Sequence, residues 1–568
     1  MRRSLPTWAA ALGSLFLLAC PPEGAGPDGG VDAGTGPEII TPNETGWWRD
    51  DVFYEVFVRS FQDGSETGDG VGDLKGLTAR LDYLNDGNPE TTTDLGVDGI
   101  WLMPIFASPS YHGYDVTDYR AVKYDYGTQA DLEALIAAAH ARGIKIILDL
   151  VVNHTSSSHP WFVSAREGPE APYRNFYVWR DTKPTEAGWK RPFGDFGDVW
   201  FHANGDYYYA LYNSGMPDLN WRNPEVEAEF VAIMKHWLAL GVDGFRVDAV
   251  RYLVESEDAK LTDQPETHQV FQRLRYAIHQ EYPDALFVAE AWTGNSKVAD
   301  YYGFGNEFQL AFSFEIADAI RSSIKEETRN DLHQANGISQ SEFVDRGFEA
   351  PFLTNHDQIR VMRDLMGTSS TPDLQRARLA AALLFSQPGT PFLYYGEEIG
   401  MLGGAQSRSE DKDKRTPMRW DATSPQGGFT AENTNWFERD TTRTAPEGAG
   451  VDVASQRGDG TSLWEFYRRL IALRHAHPAL AKGGASRPAI EGTGGPGVFA
   501  TLRTAGDGSR VLLVINLATT ASAGFSLPLS GSATVLEGAG LVPTPTPQSG
   551  ALVFDALPPQ SFAFFKLD

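Results

Sequence analysis

The chain has 568 residues, 42% of them apolar and 12% aromatic, enough for a large packed core, and its single Cys excludes an intrachain disulfide framework. A net charge of −27 argues against nucleic acid as a partner, because phosphates would be repelled. A well-solvated acidic surface and a neutral or cationic ligand remain.

In chain order, Arg2 and Arg3 precede an apolar run from Trp8 to Ala19. That is the pattern of a secretory signal, and it is too short to span a bilayer between polar flanks. The run ends Leu17-Leu18-Ala19-Cys20, and residues 21–45 are rich in Gly, Pro, Asp and Thr, as in a flexible tether. The only Cys stands where a lipid-accepting thiol would be needed. This segment resembles the lipobox of bacterial lipoproteins. The resemblance implies that residues 1–19 are removed, that Cys20 is lipidated, and that the chain is exported and held at the cell envelope by this membrane anchor. Pro21 stands where an inner-membrane retention signal would place Asp, which favours the outer membrane. No other segment has 18 unbroken apolar residues.

From Asp51 onward, apolar runs alternate with amphipathic stretches. Strands are expected at Val52–Val58, Gly99–Pro104, Ile144–Val152, Val242–Val247, Ala285–Ala289, Phe308–Phe314, Phe352–Leu353 and Pro391–Tyr394. Runs such as Ile146-Ile147-Leu148 lack alternation, which suits strands buried on both faces of a parallel sheet. Helices are expected at Leu74–Leu84, Thr128–Gly143, Pro224–Leu240, Gln264–His279, Pro372–Gln387 and Ser462–His475. In the second, Thr128 with Asp131 reads as a capping box and Gly143 as a stop. Eight strands with helical patterns between them imply an α/β fold, a (β/α)8 barrel.

The stretch from His154 to Met216 is too long for a structureless loop and rich in Trp, Tyr and Phe. It is expected to form an inserted domain over residues 154–215, between barrel segments 46–153 and 216–483. Residues 484–568 alternate β-rich runs with Gly/Pro turns, which predicts a C-terminal β-sandwich. Active sites of such barrels lie at the C-terminal strand ends. Those ends here read Asp149-Leu150-Val151-Val152-Asn153-His154, Arg246-Val247-Asp248, Ala289-Glu290-Ala291-Trp292 and Asn355-His356-Asp357. Acids, His and Arg at apolar strand ends are costly unless paired, so Asp149 alone reads equally well as structural. Asp248, Glu290 and Asp357 together read as chemistry.

DLVVNH (149–154), GFRVDAV (244–250), VAEAW (288–292) and TNHD (354–357) resemble four sequence regions of the α-amylase superfamily, glycoside hydrolase family 13. GVDGIWLMPIF (96–106) and MPDLN (216–220) resemble two more. The resemblance implies a retaining hydrolase with Asp248 as nucleophile, Glu290 as acid/base and Asp357 as a third acid. It further implies that Arg246, His112, Tyr114, His154, His356 and Arg415 bind the sugar, with the Tyr114 ring as a platform.

The loop Asp63-Gly64-Ser65-Glu66-Thr67-Gly68-Asp69-Gly70-Val71-Gly72-Asp73 resembles a calcium loop of the family, with Asp63, Asp69, the Val71 carbonyl and Asp73 as ligands of a structural Ca²⁺. Two residues are inserted after Asp63, which leaves the second ligand open. At a second family calcium site Asn153 fits, but Tyr252 stands where many members have a His. Ala249 and Tyr111-His112-Gly113-Tyr114 resemble α-1,4-acting amylases, while Arg415-Thr416-Pro417-Met418 resembles α-glucosidases. An α-amylase acting on starch, glycogen or maltooligosaccharides as a monomer is therefore expected. A 4-α-glucanotransferase or α-glucosidase is the alternative, and a non-catalytic glucan-binding lipoprotein the remote one.

Overall fold

Eight short apolar runs form parallel strands: β1 (Phe53–Val56), β2 (Gly99–Leu102), β3 (Lys145–Leu150), β4 (Gly244–Val247), β5 (Leu286–Ala289), β6 (Leu310–Phe312), β7 (Phe348–Ala350) and β8 (Phe392–Tyr394). The computed structural model describes residues 46–64, 68–343, 348–366, 373–445 and 447–568. The expected signal segment, Cys20 and the tether lie outside them, as do residues 65–67 of the acidic loop. The strand order is β7-β6-β5-β4-β3-β2-β1-β8. A parallel bridge between Phe352 and Phe392 closes the ring. The expected barrel is thus present.

Inward-facing Phe53, Trp101, Ile147, Leu286, Val288, Leu310, Phe312, Phe352 and Phe392 fill its interior as one buried cluster. Each such side chain contributes about 1.5–3 kcal/mol through burial. Phe53 stacks on Phe392 across the β1–β8 seam, with centroids 4.7 Å apart.

β7 lies earlier than the expected Phe352–Leu353. Phe348-Glu349-Ala350 pairs with Leu310-Ala311-Phe312, and Pro351, which has no N–H, ends the strand. The charge at Glu349 hides this strand in the sequence. Glu349 is buried and accepts from Ser339 Oγ (2.8 Å), Ser313 Oγ (3.0 Å) and Asn295 Nδ2 (3.1 Å).

The helices follow their capping signals. Thr128 and Asp131 make the reciprocal capping box of helix Gln129–His140, which buries Leu132, Leu135, Ile136 and Ala139. Leu74–Leu84 is instead two short helices, Leu74–Ala79 and Leu81–Leu84, meeting at Arg80. Helices Phe314–Glu326 and Asn330–Glu342 were not expected from the sequence. Asn, Gln, Ser and Gly along the second weaken its apolar stripe, whereas the first carries a clear one in Ile316, Ala317, Ile320 and Ile324.

Between β3 and helix Pro224–Ala239, a short helix (Pro160–Ala165) precedes a three-stranded antiparallel sheet of Trp179–Arg180, Trp200–Ala203 and Asp206–Tyr209. Val178, Trp189, Val199, Trp200, Tyr209 and Leu211 form its own buried cluster with Ala259 and Leu261. From residue 484 on, every regular element among the described residues is a strand. A five-stranded and a four-stranded antiparallel sheet face each other across Val498, Leu512, Val514, Phe525, Leu552, Phe554 and Phe565. This is the expected C-terminal β architecture. The other side of the larger sheet meets the barrel, with Phe562 5.5 Å from Phe466 of helix Leu463–Ala476.

Candidate active site

Parallel register places the charged residues. In the ladder of β3, β4 and β5, Asp149 lies opposite Arg246, and Arg246 opposite Val288. Two residues further on, the period of two returns Asp248 to the inward face of Arg246 and Glu290 to that of Val288. The Arg246 guanidinium is fully buried and lies 5.1 Å from the Trp101 ring. Its Nη1 donates to Asp149 Oδ1 at 2.7 Å and to Asp248 Oδ1 at 2.6 Å. Its Nη2 lies 3.3 Å from Glu290 Oε2. Three carboxylates around one cation make a buried charge tolerable, and they hold the acids in fixed relative positions.

The same cluster separates the acids chemically. Burial pushes Glu290 up to about 7, with the charges of Asp248 and Asp357 adding to it and Arg246 opposing. Glu290 can thus carry a proton near neutrality. Burial, with Asp248 adding to it, pushes Asp149 up to about 6 against the pull of Arg246. Asp149 also accepts from the Tyr114 hydroxyl at 3.0 Å. Burial would raise Asp357 too, but His356, Arg415 and Arg246 together hold it far below the usual carboxylate range. Arg415 Nη2 donates to Asp357 Oδ1 at 2.7 Å, and His356 Nε2 lies 3.1 Å from Oδ2.

His356 is the cation of this half of the site. Burial opposes its charge, but Asp357 and Glu55 overcome that and push it up to about 9. Its Nδ1 donates to Glu55 Oε1 at 2.6 Å, and its Nε2 lies 2.7 Å from the Tyr114 hydroxyl. His154 differs. Burial pushes it down, and its Nε2 donates to the Tyr114 carbonyl at 3.1 Å. Among the described residues its buried Nδ1 has no hydrogen-bond partner. His112 is pushed down to about 4 by burial, and its Nδ1 accepts from the Tyr114 N–H at 3.1 Å. It positions Tyr114 in this structure. Asp248, Glu290 and Arg246 are thus joined through Asp149 to Tyr114, His356, Asp357 and Arg415, and His154 and His112 join them through Tyr114.

Two acids gain weight from the structure. Asp149 is bonded to both Arg246 and Tyr114. Glu55, absent from the expected site, sits on β1 and charges His356. The signal for it is a lone acid in the apolar run Val52–Val58. Lys414 Nζ further binds the Asp357 carbonyl at 2.8 Å.

The expected metal ligands are engaged locally. Asp63 Oδ2 accepts from Gly70 N and Thr430 Oγ1, at 2.9 and 2.6 Å. Asp69 Oδ1 accepts from Val71 N at 2.9 Å. Asp73 caps helix Leu74–Ala79 through Gly76 N at 2.7 Å. Among the described residues, no three His, Cys, Asp or Glu side chains are placed to hold a metal ion. These carboxylates tie the loop to its own backbone and to Thr430. At the second location Asn153 Nδ2 donates to Asp218 at 2.9 Å, and Tyr252 packs against Phe193 and Tyr212.

Comparison with known proteins places this geometry in context. Residues 55–483 match the family model described as alpha amylase, catalytic domain. The chain is 37% identical to alpha-amylase 3 of Dictyoglomus thermophilum over 446 residues, covering 77% of this chain and 79% of that protein. It is 37% identical to the trehalose synthase/amylase of Mycobacterium tuberculosis over 544 residues, covering 88% and 87%. The crystal structure of an alpha-amylase from H. orenii superposes with a TM-score of 0.76 at 35% identity, covering 91% of this chain and 99% of that one.

Proposed function

This chain belongs to the α-amylase family, glycoside hydrolase family 13, and from that premise we propose that it is a retaining enzyme that hydrolyses α-1,4-glucosidic bonds of starch, glycogen or maltooligosaccharides. The observation that carries the reading is the sharing of Arg246 by Asp248 and Glu290. Double displacement needs the two carboxylates close-set, whereas an inverting pair stands apart to admit a water, and a shared guanidinium keeps Asp248 and Glu290 near each other in support of the former. Asp248 attacks the anomeric carbon while Glu290 gives its proton to the leaving oxygen. Glu290, now ionised, then takes a proton from the water that releases the sugar. Asp357, held ionised, accepts sugar hydroxyls and faces the positive charge of the oxocarbenium-like transition state. His356 steadies Asp357 and the Tyr114 hydroxyl, and His154 steadies the Tyr114 main chain, so both shape the sugar site through those residues.

The names of the relatives support a second outcome at the same site, in which a sugar replaces water as the acceptor. One relative is a trehalose synthase/amylase and others are oligo-1,6-glucosidases. One experiment tests both readings. Maltoheptaose is followed by NMR and chromatography from the first seconds. The α-anomer is expected first, with shorter maltooligosaccharides. A β-anomer at early times would overturn retention, and products isomeric with or longer than the substrate would place the enzyme on the transfer side.

A further inference from the structure

Lys123 is a lysine inside the protein, 4% exposed, at the end of strand Asp118–Val122. Its main chain is anchored, with the N–H donating to the Ile105 carbonyl at 2.7 Å. Its Nζ reaches across the base of the loop between Ala107 and Thr117. There it donates to the carbonyls of Ser108 and Ser110, the second at 2.7 Å. Both acceptors are neutral. Burial pushes the ammonium down, with Arg59 adding to it and Asp125 and Asp115 opposing. A charge held out of water is costly, and an uncharged chain of similar length would fill the space as well. What the charge supplies is the placement of two carbonyls.

The loop so held carries the hub of the site. Asp115 Oδ1 accepts from Ser108 Oγ at 2.6 Å and from Ser110 Oγ, which itself accepts from the Gly113 N–H at 3.2 Å. Thr117 closes the loop on the Ala107 carbonyl, through its N–H at 2.8 Å and its Oγ1 at 3.0 Å. Gly113 takes φ 85°, and a Cβ there would stand 2.8 Å from the Pro104 carbonyl oxygen. Between these ties stand Tyr111 and Tyr114. Tyr111 stacks on Trp436, with centroids 5.8 Å apart, and the Arg415 guanidinium lies 5.8 Å from its ring. The Tyr114 hydroxyl joins Asp149, at 3.0 Å, to His356, at 2.7 Å. It thus links the half of the site around Arg246 to the half around Asp357.

Without the ammonium, the Ser108 and Ser110 carbonyls lose a donor. Both residues are half-buried, so their carbonyls can turn to water, and the loop turns with them. The shift need only be small, because a misplacement of about 1 Å can cost about 100-fold in rate. We propose that Lys123 is a positioning residue: by holding the Ser108 and Ser110 carbonyls it sets the Tyr114 hydroxyl between Asp149 and His356, and so aligns the two halves of the site. This inference rests on the α-glucan reading above for the substrate of its test.

A double-variant cycle decides it. Lys123→Met keeps an unbranched apolar stem and removes the charge, and Tyr114→Phe removes only the hydroxyl. Each alone is expected to lower kcat on maltoheptaose about 10- to 100-fold. In the Tyr114→Phe background, Lys123→Met should cost less than about threefold more, because the hydroxyl that Lys123 places is already gone. Losses that multiply, or a Lys123→Met variant with undiminished kcat, overturn the proposal. If Lys123→Met does not fold, Lys123→Gln, a shorter and neutral donor, enters the same cycle under the same criterion. The same non-additivity is expected on α-glucosyl fluoride. An unaltered enzyme that turns over the fluoride but not maltoheptaose overturns the α-glucan reading, and the cycle on the fluoride still decides the role of Lys123.

Discussion

The backbone N–H of Ala249 donates to Glu290 Oε2 at 2.7 Å. The residue that follows Asp248 therefore helps to hold Glu290 on the next strand. Ala249 does so from a left-handed backbone, at φ 53°. Such a conformation is uncommon for a residue with a Cβ and is retained where the surroundings enforce it. It also couples the two acids, because a shift of the chain after β4 moves a donor of Glu290.

The first prediction is the pH profile. Glu290 must carry a proton to start the reaction, and burial with the neighbouring acids pushes it up to about 7. The alkaline limb of kcat/KM should fall as pH rises through about 7. The apparent value belongs to the coupled carboxylates as a set. Ala249→Val places a branched side chain at positive φ, which should cost about 1–3 kcal/mol of stability. It should also raise the apparent acid pKa, because the amide favours ionised Glu290. Ala249→Gly should leave both stability and profile close to the unaltered enzyme. A profile insensitive to Ala249→Val would show that the amide does not tune the acid.

The second concerns Glu55 and His356. His356 is pushed up to about 9 in the folded protein, above its ordinary 6.5, by Asp357 and Glu55 against burial. A group raised on folding contributes stability that is fully present below its unfolded value and is lost as pH rises through its folded value. The melting temperature should therefore decline between pH 6.5 and 9 more steeply than in Glu55→Gln, which lacks the charge facing Nδ1. Parallel declines in the two proteins would argue against a charged His356.

The barrel was legible because its strands are buried on both faces and read as plain apolar runs. Asp248, Glu290 and Asp357 were legible because charges at the ends of such runs have few structural explanations. β7 was not, because its buried charge, Glu349, is satisfied by Ser313, Ser339 and Asn295 from other elements, and no local pattern records partners so distant in sequence. Glu55 was hidden for the same reason, since His356 lies 301 residues away.

The third prediction separates two roles of the acidic loop. Asp73 caps a helix, so Asp73→Ala should cost about 1 kcal/mol in calcium-free protein and more in calcium-loaded protein. We propose that this loop binds calcium through its closely spaced carboxylates. Binding to the folded state alone raises the melting temperature by mass action. Chelation of calcium-loaded enzyme should lower that temperature, and Asp73→Ala should abolish the response. If chelation changes nothing in protein shown to be loaded, the loop is held by its own hydrogen bonds alone.

The fourth concerns Cys20, which lies outside the described residues. We propose lipidation there from the apolar run and the single thiol. Cys20→Ser should move activity from the membrane to the soluble fraction without changing kcat. Continued partition of that variant with membranes would refute the anchor.

The fifth assigns the two acids by chemical repair. Asp248→Gly removes the attacking carboxylate and leaves space beside Arg246 on the same face of the sugar. Azide in that space should restore part of the lost activity and yield a β-glycosyl azide, since a single displacement inverts the anomeric centre. Glu290→Ala retains the nucleophile but removes the proton donor. It should suffer most on substrates with poor leaving groups and still be glycosylated by an activated aryl glycoside. Azide should then speed release with retained α configuration, because two displacements have occurred. Either change should cost several powers of ten on maltooligosaccharides, and the double variant little more, since the pair acts as a unit. The configuration of the azide product decides the assignment. An α-azide from Asp248→Gly would mean that the nucleophile is still present, and Asp149 or Asp357 would take its place.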